Sequence, residues 1–157
     1  MKALYPGSFD PLSLGHLDII KRGAEIFGQV TVLISENPGK KEKLSTEDRV
    51  KLIKEATKDM ENVDVQVCSG LTVDYAMKNG YDFLLRGMRA AGDFESELEM
   101  SQINRALSNG LETVFLMTSP QHSYIRSSRV WELLEFGDSI EALVPKNVAE
   151  HLLKNCK

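Results

Sequence analysis

Short apolar runs alternate with amphipathic segments along this chain, and no hairpin turn signal joins two runs directly. Strands connected in that way lie parallel, because each is reached by a right-handed crossover long enough to hold a helix. The runs are Lys2–Pro6, Gln29–Ser35, Val63–Cys68, Asp82–Arg86 and Leu111–Met117. The segment Gly15–Phe27 sets Leu17, Ile20, Ala24 and Phe27 at helical spacing, with Asp18, Lys21, Arg22 and Glu25 on the opposite face. Ser45–Met60 opens like a capping box, with Asp48 three positions after Ser45. Thr72–Gly80 reads as a short helix and Asp93–Gly110 as a long one, and two more are expected over about 127–136 and 145–155. The pattern predicts an α/β fold, a single Rossmann-like doubly wound domain with a five-stranded parallel sheet. With 157 residues, the chain is long enough for one domain with a real core, and no linker or repeat divides it.

Sheets of this kind bind ligands beyond the carboxyl ends of their strands. The residues just past each run therefore carry the functional reading. They are Gly7, Ser8 and His16 after the first run; Lys40, Lys41 and Lys43 after the second; and Leu71 and Thr72 after the third. Arg86, Gly87 and Arg89 follow the fourth, and Ser119, His122, Ser123, Tyr124, Arg126, Ser127, Ser128 and Arg129 the fifth. Cations, hydroxyls and helix N-termini gather on one edge, a composition that suits a polyphosphate. The whole chain is nevertheless acidic, with 19 basic against 23 acidic residues and a formal charge of −4. A protein that coats a polyanion needs a basic face, so no nucleic-acid partner is expected. Nothing approaches a membrane span or a signal-peptide core, so the expectation is a cytoplasmic protein with no membrane partner. Cys68 and Cys156 have no metal-ligand spacing, and free thiols are expected.

The phosphates need a holder, and the common ones are missing. The chain has no GxxxxGK(S/T), since Gly39-Lys40-Lys41 lacks the earlier glycine, and no GxGxxG. The stretch Tyr5–His16, YPGSFDPLSLGH, supplies a different arrangement. Gly7 is expected to allow a tight turn, Ser13 to cap the first helix, and Gly15 to let a nucleotide lie against the backbone. His16 then sits in the first turn, where the helix field disfavours its charged form but leaves it able to donate a hydrogen bond.

Gly7-Ser8-Phe9-Asp10-Pro11 with Ser13-Leu14-Gly15-His16 resembles the (H/T)xGH signature of the nucleotidylyltransferase superfamily, and Ile125-Arg126-Ser127-Ser128 stands where that superfamily has ISS(S/T). Lys40, the block Arg86-Gly87-Met88-Arg89, Asp93-Phe94-Glu95 with Glu97, and Asn104-Arg105 extend the match over essentially the whole chain. The set is similar to the bacterial phosphopantetheine adenylyltransferases. That resemblance implies transfer of the adenylyl group of ATP to 4′-phosphopantetheine, the penultimate step of coenzyme A synthesis, by one domain over 1–157 on which the helices from about 127 pack. It implies catalytic roles for His16, Lys40 and Arg89. The phosphopantetheine site it implies is Ser8, Lys40, Thr72 and Arg86, with position 72 acting through its backbone. The ATP site it implies is Ser8, Phe9, His16, Gly87, Met88, Arg89, Glu97 and the segment His122, Ser123, Tyr124, Ile125, Arg126, Ser127 and Ser128. Mg²⁺ carried with ATP, no dedicated metal site, a homohexamer and feedback inhibition by coenzyme A come with the resemblance.

Two departures from the family pattern stand in the second motif. Arg126 replaces its usual first serine, and Trp131 stands where a basic residue is often found; whether Arg126 or Arg129 supplies that charge is left open. Plainer roles compete elsewhere. Lys41 and Lys43 read as solvated, Ser127 and Ser128 as caps for the helix after them, and His151 as a surface residue. Trp131 and the Met100, Ile103, Leu107 stripe read as core or subunit contact. Rival functions are a nucleotidylyltransferase acting on nicotinamide mononucleotide or glycerol 3-phosphate, and a non-catalytic nucleotide sensor.

Overall fold

The computed structural model describes residues 1–36, 39 and 41–155. Five strands, β1 (Lys2–Gly7), β2 (Gln29–Ser35), β3 (Val63–Cys68), β4 (Phe83–Met88) and β5 (Glu112–Met117), form one sheet in the order β3-β2-β1-β4-β5, with every neighbouring pair parallel. Among the described residues six α-helices accompany them: α1 (Leu14–Phe27), α2 (Thr46–Ala56), α3 (Thr72–Lys78), α4 (Phe94–Leu107), α5 (Ser127–Glu135) and α6 (Lys146–Asn155). The expected class and strand count hold, and the strand ends shift by two residues at most.

Alternation along the strands sorts the core into two layers. Ala3, Val30, Val32, Ile34 and Leu85 point to one face and pack with α1, α2, α5 and α6, whereas Leu4, Leu33 and Leu84 point to the other and pack with Val73 and Ala76 of α3. On α1 the buried stripe is Gly15, Ile19, Ile20, Gly23, Ala24 and Phe27. Leu17, expected in that stripe, is only half-buried. Among the described residues no helix is long and apolar enough to cross a membrane.

The strand order reverses between β1 and β4. Register there runs only from Ala3–Phe83 to Leu4–Leu84, while β1 and β2 pair from Lys2–Gln29 to Gly7–Ile34. The ladder thus stops short at the switch point, where an open α/β sheet forms its ligand crevice. Arg86 fills the gap, donating from Nη1 to the Pro6 carbonyl at 2.7 Å.

Candidate active site

A cleft of about 480 Å³ opens at that gap. Its wall is built from the turn after β1 (Gly7, Ser8, Phe9), the start of α1 (Ser13, Gly15, His16), the end of β4 (Arg86, Gly87, Arg89), the start of α4 (Ser96, Glu97) and Ile125–Ser128. The sheet edge therefore joins residues far apart in sequence, as the strand-end reading requires.

The turn after β1 differs from its expected form. Its left-handed residue is Phe9, at φ 48°, and Gly7 is not in that region. Gly7 is small for another reason, since a Cβ there would lie 3.0 Å from Cε2 and Cζ of the Phe9 ring. That ring packs edge-on against Tyr5 and His16, with centroids 5.3 and 5.1 Å away. Gly15 lines the cleft without being required by the packing around it. A Cβ there would find only ordinary contacts, at 3.5 Å to the His122 carbonyl, so the fold itself tolerates a side chain and the glycine leaves the cleft wall bare.

Ser13 is the N-cap of α1, and His16 completes a reciprocal capping box. The His16 amide donates to Ser13 Oγ at 3.3 Å, and the Ser13 amide donates to His16 Nδ1 at 3.1 Å. An Nδ1 that accepts leaves the proton of the neutral ring on Nε2. Burial, then the charges of Arg89 and Arg86, lower the His16 pKa to about 4, so the ring is neutral near pH 7. His16 is thus a fixed, uncharged donor in the cleft wall.

Two arginines face it. Arg86 donates from Nε and Nη2 to Glu97 Oε2 and Oε1, at 2.8 and 2.6 Å. Burial works against its charge, but the Glu97 contacts outweigh that and raise its pKa. Arg89 is held by Asp93 at 3.2 and 3.3 Å and reaches the Ile125 carbonyl at 3.5 Å. Burial pushes the Asp93 carboxyl up, and the Arg89 hydrogen bonds outweigh it and hold the carboxyl low. Each guanidinium is therefore charged and already oriented.

The α5 N-terminus closes the cleft without a side-chain cap. Ser127 Oγ donates instead to the Pro11 carbonyl at 2.9 Å, so the capping role expected for Ser127 is replaced by a tie to the opposite turn. The first amides of α5 are left for an anion. Arg126 lines the cleft, while Arg129 pairs with Glu132 at 2.6 Å and does not. Trp131 is buried, as expected of a core residue, and donates from Nε1 to the Asp10 carbonyl at 2.9 Å.

A second groove of about 740 Å³ shares Gly7, Ser8, Arg86 and Glu97 with the cleft and runs on past Thr72 to α4. Met100, Ile103 and Leu107 line it. The stripe is therefore not core in this chain. It stands at 45–61% exposure along the groove.

Of the expected site residues, Phe9, His16, Gly87, Arg89, Ile125, Arg126, Ser127 and Ser128 line the cleft, Thr72 lines the groove, and Ser8, Arg86 and Glu97 line both. Met88, His122, Ser123 and Tyr124 line neither; Met88 is buried under the sheet end, where its carbonyl accepts from Thr118 N at 2.7 Å. Lys40 lies outside the described residues. Lys43 is not simply solvated, because its Nζ pairs with Glu135 at 2.6 Å and sits over the Trp131 ring. Ser96 and Thr118 also line the cleft and were not singled out from sequence. Asp93, named there as part of the Asp93-Phe94-Glu95 match but given no role, lines it too.

Comparison with known proteins agrees with this geometry. Residues 4–133 match the cytidylyltransferase-like family model. A phosphopantetheine adenylyltransferase of Prochlorococcus marinus (strain NATL2A) is 50% identical over 98% of each chain, and one from strain MIT 9211 is 49% identical over 100% of each. That of Caldanaerobacter subterraneus subsp. tengcongensis is 45% identical over 99% of this chain and 97% of its own. The chain belongs to the cytidylyltransferase-like family and, within it, to the phosphopantetheine adenylyltransferases.

Proposed function

We infer that this chain transfers the adenylyl group of ATP to 4′-phosphopantetheine, giving dephospho-coenzyme A and pyrophosphate. The observation that carries this reading is the neutral His16, its proton held on Nε2 by the Ser13 amide, in a cleft that also holds Arg86, Arg89 and the bare α5 N-terminus. A phosphate oxygen of phosphopantetheine forms a bond to the α-phosphorus of ATP as the bond from that phosphorus to the pyrophosphate oxygen breaks. The attacking oxygen is already anionic, so no proton acceptor is needed, and no intermediate on the enzyme is formed. Catalysis is positioning and stabilisation of charge on the transferring group.

Placement in the cleft and the groove supports the following roles. His16 Nε2–H donates to the α-phosphate as charge builds there. Arg89, Arg126 and the α5 amides meet the triphosphate, and Phe9, Gly87 and Glu97 border the nucleotide. Ser8, Arg86 and Thr72 meet the acceptor, whose pantetheine arm lies along Met100, Ile103 and Leu107. Lys40 stays in the catalytic set on the family pattern alone, as do Met88, His122, Ser123 and Tyr124 in the ATP set. Mg²⁺ arrives with the triphosphate, since the carboxylates of the cleft wall, Asp93 and Glu97, are each engaged by an arginine. We place the reaction in the cytoplasm, in a homohexamer for which the exposed Phe94 and Leu98 on α4 offer apolar surface, with coenzyme A as feedback inhibitor.

The test is pyrophosphate release from purified protein with ATP, Mg²⁺ and 4′-phosphopantetheine, with CTP and with nicotinamide mononucleotide as parallel arms. Release that requires both ATP and phosphopantetheine is expected. Release with another acceptor only, or none while ATP still binds, refutes the reading.

A further inference from the structure

Arg49 on α2 is 1% exposed, and no sequence motif accounts for it. A buried charge is costly unless every donor is met. Here each one is. Nε donates to the Ser45 carbonyl at 3.4 Å, Nη1 to the Ser8 carbonyl at 2.9 Å and Glu42 Oε1 at 2.8 Å, and Nη2 to Glu42 Oε2 and, at 3.1 Å, to Thr46 Oγ1. One side chain thus ties three segments: the start of α2, the turn after β1 at Ser8, and the segment between β2 and α2 at Glu42. The same segment is tied to the same turn a second time, because Asp10 accepts from the Lys43 and Leu44 amides at 2.7 and 3.0 Å. Ser8 lines both the cleft and the groove.

An ion pair this deep is weak evidence of a stabilising role, since a well-packed apolar pair of similar volume often serves as well. What it supplies that methionine cannot is direction, through a planar fork that fixes a carbonyl and a carboxylate in one plane. We propose that Arg49, through Glu42 and the Ser8 carbonyl, is a positioning residue that holds residues 42–44 and the Ser8 turn in register for the acceptor phosphate. The proposal rests on the adenylyl-transfer reading. The hydrogen bonds of Arg49 go to Ser45, Ser8, Glu42 and Thr46 and not to α5 or His16, so its loss is expected to act more on the acceptor than on ATP.

The experiment compares Arg49→Met, Arg49→Lys and Glu42→Gln with wild type. Val148→Ala, a buried position on α6 away from the cleft, controls for lost stability. Steady-state kinetics are read for both substrates, and amide exchange is read at Lys43 and Leu44. In Arg49→Met, kcat falls on the order of ten- to a hundredfold and the KM for 4′-phosphopantetheine rises, while the KM for ATP stays within about twofold. Exchange at Lys43 and Leu44 quickens. Arg49→Lys keeps the charge without the fork and restores the melting temperature more than it restores kcat. Glu42→Gln shifts the same quantities in the same direction by less, and it decides the matter if Arg49→Met does not fold. Val148→Ala lowers the melting temperature and leaves kinetics and exchange at those amides unchanged. Arg49 and Glu42 variants that match Val148→Ala in every readout overturn the proposal. Absence of turnover in wild type would refute adenylyl transfer instead, and the exchange arm then still decides whether Arg49 holds the segment.

Discussion

Helices α1 and α4 are both 14 residues long, and they are anchored in opposite ways. α1 buries six residues on the sheet, begins in a reciprocal cap and ends on Gly28 in the left-handed region. α4 buries none and has no side-chain cap bond at its start. Its ties are polar and few, Arg86–Glu97 at the cleft and Arg105–Glu112 at the far end. The difference matches the division of labour. The helix that carries His16 takes its position from the core, so the end of α1 that lines the cleft is set before any ligand arrives. The helix that borders the groove is tied by two ion pairs and leaves its apolar side exposed. One wall of the site is thus preorganised, and the other is completed by contact.

The contrast can be broken at either helix. The largest effect is expected at Ile20, fully buried on α1, where Ile20→Ala lowers the unfolding free energy by about 2–5 kcal/mol in urea titrations. A loss below about 1 kcal/mol would mean α1 is not anchored as described. Next comes His16→Ala, expected to lower kcat by about 100- to 1,000-fold, on the order of 3–4 kcal/mol, with ATP affinity by calorimetry changed far less. Equal losses in both would make His16 a binding contact only. Third is the pH dependence of stability. Folded His16 holds its neutral form down to about pH 4, while an unfolded histidine takes up its proton near 6.5. Between those values the unfolded chain binds more protons, so stability is lost as the pH falls from about 6.5 toward 4, on the order of 1–3 kcal/mol in all. His16→Gln flattens the profile across that window in thermal melts. The smallest effect belongs to α4. Ile103→Ala changes stability by less than about 0.5 kcal/mol and acts on the KM for phosphopantetheine instead. A loss as large as at Ile20 would show that another copy of the chain covers this face in solution.

What the sequence disclosed follows the same line. Strand and helix identities were legible because their periods are local, and so was the Ser13 cap with His16 three residues on. The topology then delivered Arg86, Arg89 and Ile125–Ser128 to one crevice, since parallel strands put their ends together. What stayed hidden depends on contacts across the chain. The need for glycine at position 7 comes from the ring of Phe9, and Lys43 turns away because Glu135 lies 92 positions on. Arg49 reads as one more cation on an amphipathic helix until Ser8 and Glu42 close around it. Helical periodicity marked Met100, Ile103 and Leu107 as a face, but periodicity is silent on whether a face meets core or groove.

The bond from the Ser13 amide to His16 Nδ1 fixes two things at once, where α1 begins and which ring nitrogen bears hydrogen. Ordinarily the starting point of a helix is a matter of shape, and a tautomer is a matter of chemistry. Here they share one atom pair. A shift of the helix start by a single residue would leave the imidazole in the cleft yet free it to present a lone pair in place of the Nε2–H. In the proposed reaction the boundary of α1 is therefore part of the chemistry, and a substitution near Ser13 is better judged by proton placement than by helix content.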